Sequence, residues 1–312
     1  MRVSIIGSGV IGMTVAHELA THGHEVTVIS DRDHRASVSS VAAAIWFPYG
    51  VGRTDRVMAA AATTFQRLVA LADDPATGVR MRSGTVLART AAPDFSYISG
   101  VPVVSGVPDG ASGVRCDLPL IVTGVYLGWL RKQLDDRGVR LESRSVSAID
   151  DVTDADAVVV AAGLGSAALV GGDPGLHPVR GQVVRLANPG LTDFVLDDDN
   201  PAGLTYVVPR DEDIVCGGTD EPHSWDEHPH GDVEAAILAR ATALVPALRG
   251  LPVVSRAAGL RPARPHVRLE LLPARPRPVV ACYGHGGSGF TLSWGEAADV
   301  RRLLESPAIW PE

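Results

Sequence analysis

The chain has little of what would tie it to a disulfide framework, a membrane or nucleic acid. Among 312 residues there are three cysteines, Cys116, Cys216 and Cys282. Their odd number, wide spacing and lack of a CxxC pair leave no disulfide framework and no thiolate metal site. They fit a reducing compartment in which each thiol packs as a small apolar side chain. No stretch approaches the ~18 to 20 uninterrupted apolar residues of a membrane-spanning helix. No run of Lys or Arg is dense enough to follow a phosphate backbone, and the net charge is −8, which argues against nucleic acid as a partner. The apolar N-terminus does not read as a secretory leader, because Arg2 alone makes a poor basic region and glycines interrupt the apolar run. Residues 308–312 carry no peroxisomal tripeptide, so the cytoplasm is the expected location. No internal repeat is found. With 46% hydrophobic residues, the composition supports one large or two modest packed domains.

What is present is concentrated first in residues 1–33. Val3, Ile5 and Ile6 form an apolar run that breaks into Gly7-Ser8-Gly9-Val10-Ile11-Gly12. A pattern of helical period follows in Val15, Ala16, Leu19 and Ala20, then a turn at Thr21-His22-Gly23 and a β-branched run over 26–29. This order of strand, glycine turn, helix and strand has a mechanism. Gly7 permits the tight turn, Gly9 lets the main chain approach a pyrophosphate, and Gly12 lets the helix pack close on the sheet. Phosphates then meet the unpaired N–H groups and the positive end of the helix dipole. Asp31 lies about 20 residues beyond the last glycine, where a carboxylate can accept from a ribose hydroxyl.

Further along, residues 41–49 run from small side chains into Ile45-Trp46-Phe47-Pro48-Tyr49, which suits either close contact with a flat ligand or the start of a buried helix. Apolar residues at steps of three and four predict helices over 55–72 and 124–136. The first stops at Asp73-Asp74-Pro75 and the second at Gly138. Short strands are expected between 79 and 105, within a region of proline and glycine that extends to 113. Residues 139–142 read as a strand, and 156–165 as a buried parallel strand entering a glycine turn, so it belongs beside the first two and the nucleotide-binding domain is discontinuous. Further β runs are expected at 183–186, 204–208, 214–217 and 253–254, a helix over 232–248, and a last helix over 294–304. Asp197-Asp198-Asp199-Asn200-Pro201 reads as a solvated acidic turn, with a flexible cover over a pocket as the other reading.

Six separated motifs then agree. They are the N-terminal fingerprint, residues 40–49, Arg180-Gly181-Gln182, Tyr206-Val207-Val208-Pro209, Gly259-Leu260-Arg261-Pro262, and Tyr283-Gly284-His285-Gly286-Gly287 with Thr291. Together, in this order and over nearly the whole chain, they resemble the D-amino-acid oxidase family. The resemblance implies an α/β fold with a discontinuous Rossmann-like FAD-binding domain, residues 1–50, 139–182 and 262–312, and a mixed-sheet α+β substrate-binding domain, residues 51–138 and 183–261. It implies FAD as cofactor, which the glycine fingerprint alone does not select. FAD is expected against Gly7, Gly9, Val10, Ile11, Gly12, Asp31, Arg32, Ser39, Ser40, Ala43, Ala44, Ile45, Gly163, Gly286, Gly289, Phe290 and Thr291. No metal is expected.

By the same resemblance, Arg261 pairs with a substrate α-carboxylate, a task that suits a planar two-pronged donor. Tyr206 reaches that carboxylate with its hydroxyl, and the main-chain carbonyl of Gly287 accepts from the amine. The implied reaction is oxidation of a D-amino acid by hydride transfer from Cα to flavin N5. The imino acid then hydrolyses to a 2-oxo acid and ammonia, and oxygen becomes hydrogen peroxide. No side-chain base is needed if the amine is already neutral, and His285 is expected as a flavin neighbour. Better-known members carry a second tyrosine on a lid, whereas Pro201-Ala202-Gly203-Leu204-Thr205 holds none. Trp46, Phe47, Tyr49 and Tyr206 suggest apolar walls and a neutral substrate. A D-aspartate-preferring enzyme would need a second cation, for which Arg53, Arg210 and Arg264 are available. A glycine- or sarcosine-type oxidase and a cofactor-binding protein without turnover are the other readings, and a homodimer is left open.

Overall fold

The computed structural model describes residues 1–89, 95–98, 101, 103–106, 113–273 and 275–306. Most of the proline- and glycine-punctuated stretch at 101–113, and the 308–312 terminus, lie outside the described residues. In chain order the elements are β1 (Arg2–Ile6), α1 (Val10–Thr21), β2 (Glu25–Ser30), α2 (Val38–Val41), α3 (Asp55–Leu71), β3 (Val79–Leu87), β4 (Val103–Gly106) and β5 (Gly113–Ile121). There follow α4 (Thr123–Asp136), β6 (Arg140–Ser143), β7 (Ala157–Val160), α5 (Ser166–Leu169), β8 (His177–Ala187), β9 (Phe194–Asp197), β10 (Thr205–Pro209) and β11 (Asp213–Gly217). Last come β12 (Glu221–Pro222), α6 (Gly231–Leu244), β13 (Val253–Leu271), β14 (Val279–His285) and α7 (Gly289–Glu305).

Strands β6, β2, β1, β7 and β14 pair in that order, all parallel. Both faces of β1, β2, β7 and β14 are covered, which is why these strands read as near-continuous apolar runs, whereas the edge strand β6 is largely exposed. Side chains alternate between two cores: Val3, Ile5, Val159 and Val280 pack with α1, α3 and α7, while Ile6, Ile29, Val158, Val160 and Val279 pack on the opposite side. Helix α7 meets α3 at Gly295, where an added Cβ would stand 2.3 Å from the Ala60 main chain. The Gly295 N–H donates to Thr64 Oγ1 at 3.0 Å in this crossing.

The remaining strands, in the order β4-β5-β3-β9-β10-β11-β8-β13, are antiparallel except for the parallel pair β3 and β9. One 19-residue strand joins the two regions. Over 253–263 β13 pairs with β8, and from Ala263 onward it pairs with β14, with a register shift between Ala263 and Arg268. Sequence periodicity places α3 and α4 to within a residue. It misses the length of β13, whose Gly259, Pro262 and Pro265 look like strand breakers. It also starts α7 too late, because the glycine-rich turn ends at Ser288 and the helix begins at Gly289.

The acidic stretch at 197–200 is corrected. Asp197 is not solvated: it closes β9 with 0% exposure, ion-paired to Arg89 and accepting from Asn200 Nδ2 at 2.8 Å.

Candidate active site

The first wall of the site is the turn from β1 into α1. Gly7 has φ +118°, and a Cβ there would come within 2.3 Å of the carbonyl oxygen of Ala161, just past the end of the neighbouring strand β7. Gly12 would drive a Cβ to 2.0 Å from the Gly7 carbonyl oxygen, so its role is helix-to-strand packing. Gly9 caps α1 without a side-chain hydrogen bond, and no acidic residue stands in the first turn. The helix therefore presents N–H groups and a positive dipole end to the space in front of it. Ser39 Oγ accepts from the Val10 N–H at 3.1 Å and holds the 37–41 segment against that helix end.

This turn opens on a cleft of about 1020 Å³. Of the expected cofactor residues, Gly7, Gly9, Val10, Ile11, Asp31, Arg32, Ser39, Ser40, Ala43, Ala44, Ile45, Gly163, Gly286, Gly289, Phe290 and Thr291 all line it. Gly12 does not, in keeping with its packing role. Arg261, Tyr206 and Gly287 line the same cleft. Residues 42–49 are not helical and line the cleft except at Trp46 and Pro48: Ala44 takes φ +56°, Ile45 bridges to Leu120, and the buried Trp46 indole N–H donates to the Ala61 carbonyl at 2.9 Å. Thr291 ties this wall to α7, donating to the Phe47 carbonyl and accepting from the Phe47 N–H.

Two glycines shape the far end. Arg261, on β13, lays its guanidinium across Gly181 on β8, where an added Cβ would lie 2.2 Å from Nη2. Tyr206, on β10, lies over its cross-strand partner Gly217, where a Cβ would lie 2.0 Å from the ring. Arg261 Nη1 donates to the Thr219 carbonyl at 2.9 Å and stands 3.6 Å from Asp220 Oδ1. Burial pushes the Tyr206 hydroxyl above its ordinary pKa, opposed by the charge of Arg261. Tyr49, whose ring lies beside Gly287, is also raised, first by burial and then by Asp220. Burial followed by repulsion from Asp199 raises the Asp198 carboxyl, which lines the cleft.

A sequence profile of the DAO family, described as FAD dependent oxidoreductase, matches residues 2–100 and 121–302. The chain belongs to the DAO family of FAD-dependent oxidoreductases. It is 43% identical to a D-amino-acid oxidase of Rubrobacter xylanophilus, over 97% of this chain and 95% of that one. It is 31% identical to a D-aspartate oxidase of Homo sapiens, over 97% and 94%. Among solved structures, a glycine oxidase of Geobacillus kaustophilus superposes with a TM-score of 0.84 at 23% identity, covering 97% of this chain and 95% of that one. This last likeness is one of fold.

FAD is the cofactor of this DAO-family enzyme, and the cleft suits it. The α1 N-terminus, the turn at Gly7 and Gly9, and the carboxylate of Asp31 line the same space as the small residues 42–44 and the late glycines. His285 is buried at the cleft wall, with Nε2 3.9 Å from Glu296 Oε2, an ion-pair distance. Cys282 joins this pair, and the three bring donor atoms within 4.8 Å of one another. Glu296 is already held by Arg56 Nη1 at 2.8 Å. Burial pushes its carboxyl up, but His285 and Arg56 together hold it below the ordinary value.

Two of the arginines available for a second substrate anion have other partners. Arg210 is buried and donates to the Ala42 and Ala43 carbonyls, and burial lowers its pKa to about 10. Arg264 pairs with Asp173 at 3.0 Å. The site also contains residues that the motifs do not reveal: Gly217, Asp198, Asp220, Trp225 and Glu227. Their places depend on cross-strand register and on the path of the 219–230 loop, which sequence periodicity does not carry.

Proposed function

We propose that this enzyme oxidises D-α-amino acids with neutral side chains, in the cytoplasm, to 2-oxo acids and ammonia with oxygen as acceptor and hydrogen peroxide as product. The observation that carries this reading is the Arg261 guanidinium, seated on Gly181 beside the Tyr206 hydroxyl, in the same cleft as the nucleotide turn. Arg261 binds the substrate carboxylate as a bidentate donor, and the Tyr206 hydroxyl donates to the same group. The Gly287 carbonyl accepts from the amine. Three contacts on one small molecule fix which face of Cα is presented, and such orientation can account for roughly 7 to 11 kcal/mol of barrier.

The chemistry that FAD supplies when bound is two-electron acceptance of the Cα hydrogen as hydride and return of the electrons to oxygen. The protein's share is binding, orientation and exclusion of water. His285 faces Glu296 and serves as a neighbour of the cofactor instead of a base. The domain division stated above belongs to the same reading, with β13 carrying Arg261 to the boundary.

The surroundings of Arg261 favour a neutral substrate over D-aspartate. Asp220 stands beside it, so a second substrate carboxylate there would meet negative charge, while Arg210 and Arg264 are engaged elsewhere and Arg53 faces Asp198. Anaerobic titration of the yellow holoenzyme tests the proposal. D-Alanine is expected to bleach the flavin band, with L-alanine inert and glycine, sarcosine and D-aspartate far weaker. Bleaching by glycine or sarcosine in preference to D-alanine would overturn the substrate assignment. A flavin that no amino acid reduces would overturn the activity.

A further inference from the structure

Trp225 is 67% exposed, an unusual place for an indole, since a buried Trp removes roughly 150 to 250 Å² of surface from water. It is nevertheless a wall residue of the cofactor cleft, together with Glu227. Glu227 Oε1 reaches to 4.0 Å from Nη1 of Arg32, which follows β2 on the opposite wall. Arg32 is next to Asp31, the carboxylate placed for the ribose. The loop carrying Trp225 therefore crosses the cleft at its adenosine arm.

That loop is fixed along its length. It starts at Thr219, whose Oγ1 accepts from the Gln182 N–H at 3.0 Å, and β12 pairs it to β8. Arg180, 1% exposed, donates to the carbonyls of Asp226 and His228 at 3.0 and 2.5 Å and to Glu221 Oε1 at 2.8 Å. Gln182 Nε2 donates to the His230 carbonyl at 2.8 Å, and Gln182 Oε1 accepts from the His230 N–H at 2.9 Å. The Asp226 carboxylate closes the loop on itself, accepting from the His228 N–H at 2.8 Å and facing His230 Nε2 at 2.6 Å. Desolvating a guanidinium is costly unless its donors are satisfied. Here a buried arginine meets that cost by holding two carbonyls of a surface loop in place. A polar loop so restrained, with one bare indole at its apex, is built to hold that ring in position.

We propose that residues 223–230 form a fixed strap over the adenosine arm of the cleft and that Trp225 retains FAD by stacking on the adenine. With the backbone on both sides of Trp225 already pinned, binding orders little more than the indole itself, so most of the stacking free energy appears as affinity. The proposal rests on the FAD cofactor and is independent of which amino acid is oxidised.

The test is FAD and ADP binding to wild type, Trp225→Ala and Trp225→Phe, with FAD release from diluted holoenzyme followed by recovery of flavin fluorescence. Trp225→Ala is expected to weaken FAD by about 5- to 150-fold, the range for one aromatic–base stack. ADP is expected to weaken by the same factor. Trp225→Phe, which keeps a ring, is expected to recover most of the loss, and ADP is expected to quench indole emission in wild type and to quench it less in that variant. Unchanged FAD affinity in Trp225→Ala would overturn the proposal. Weakened FAD with unchanged ADP would also overturn it, because the ring would then act elsewhere on the cofactor. Because the side chain is exposed, the variant is expected to keep the wild-type circular dichroism.

Discussion

At the scale of single residues the site depends on pairs in which one partner is a glycine. Arg261 donates to the Thr219 carbonyl and rests on Gly181, so its fork is fixed before any substrate arrives. In the role proposed for it, removing it would leave a substrate carboxylate unpaired in a desolvated place. By analogy with truncated buried charge pairs this costs about 2 to 5 kcal/mol. Arg261→Ala is therefore expected to lower kcat/KM for D-alanine by about 30-fold to several thousand-fold. Arg261→Lys should recover little, because an ammonium lacks the two-pronged geometry. Steady-state kinetics decide this, and near-wild-type efficiency in either variant would remove Arg261 from its assigned role. Gly181→Ala is a subtler probe. Its methyl group would lie 2.2 to 2.7 Å from three guanidinium atoms, so the fork must move while the nucleotide turn stays intact. The expected outcome is a raised KM with unchanged FAD affinity, read by kinetics and flavin titration on one preparation. Arg261 and Tyr206 are legible in the sequence because motifs surround them. Of the glycines that seat them, Gly181 is legible only as a motif letter and Gly217 lies in no motif, since their function arises from the β8–β13 and β10–β11 registers.

At the scale of elements, helices are the most legible part of this chain, because α3 and α4 each present one apolar face. Strand β13 is the least legible, because a strand that changes partners at a bulge tolerates Gly and Pro that would end an ordinary one. Asp197 misleads for a related reason: three consecutive aspartates look solvated unless the Arg89 partner, 108 residues away, is known. The layer of α1 and α7 contains a titratable group that no motif marks. His17, 3% exposed, packs edge-on against Trp294 with ring centroids 5.1 Å apart, and Arg67 lies over that indole at 4.9 Å. Burial, then the charges of Arg137 and Arg67, lower its pKa from 6.5 to about 4. The unfolded chain therefore binds a proton that the folded one refuses between those values. The stability associated with neutral His17 is complete above pH 6.5 and is lost as pH falls towards 4, on the order of 3 kcal/mol in all. Urea midpoints measured from pH 7 to pH 4 should fall in wild type and fall less in His17→Leu. Parallel curves for the two proteins would contradict the assignment.

For the whole molecule, the parallel and antiparallel regions form one continuous sheet, and β13 is shared between them. From sequence, β7 could be placed beside β1 and β2 because all three are apolar runs and both β1 and β7 enter glycine turns. The antiparallel order could not, since short amphipathic strands carry no label for their partners. The cleft is lined by residues numbered from 6 to 291, and its walls come from both regions. A ligand that fills such a cleft binds the folded chain and has little to hold in the unfolded one, so it stabilises by mass action. At free FAD a hundred times its dissociation constant the gain is about 2.7 kcal/mol. The thermal midpoint is thus expected to rise by several degrees and to go on rising with the logarithm of FAD concentration. Because β13 belongs to both regions, flavin release and loss of far-UV circular dichroism should coincide in a single transition. Flavin leaving well before the sheet melts would show that the parallel region opens by itself. A midpoint indifferent to FAD would mean that the cleft is not where the cofactor binds.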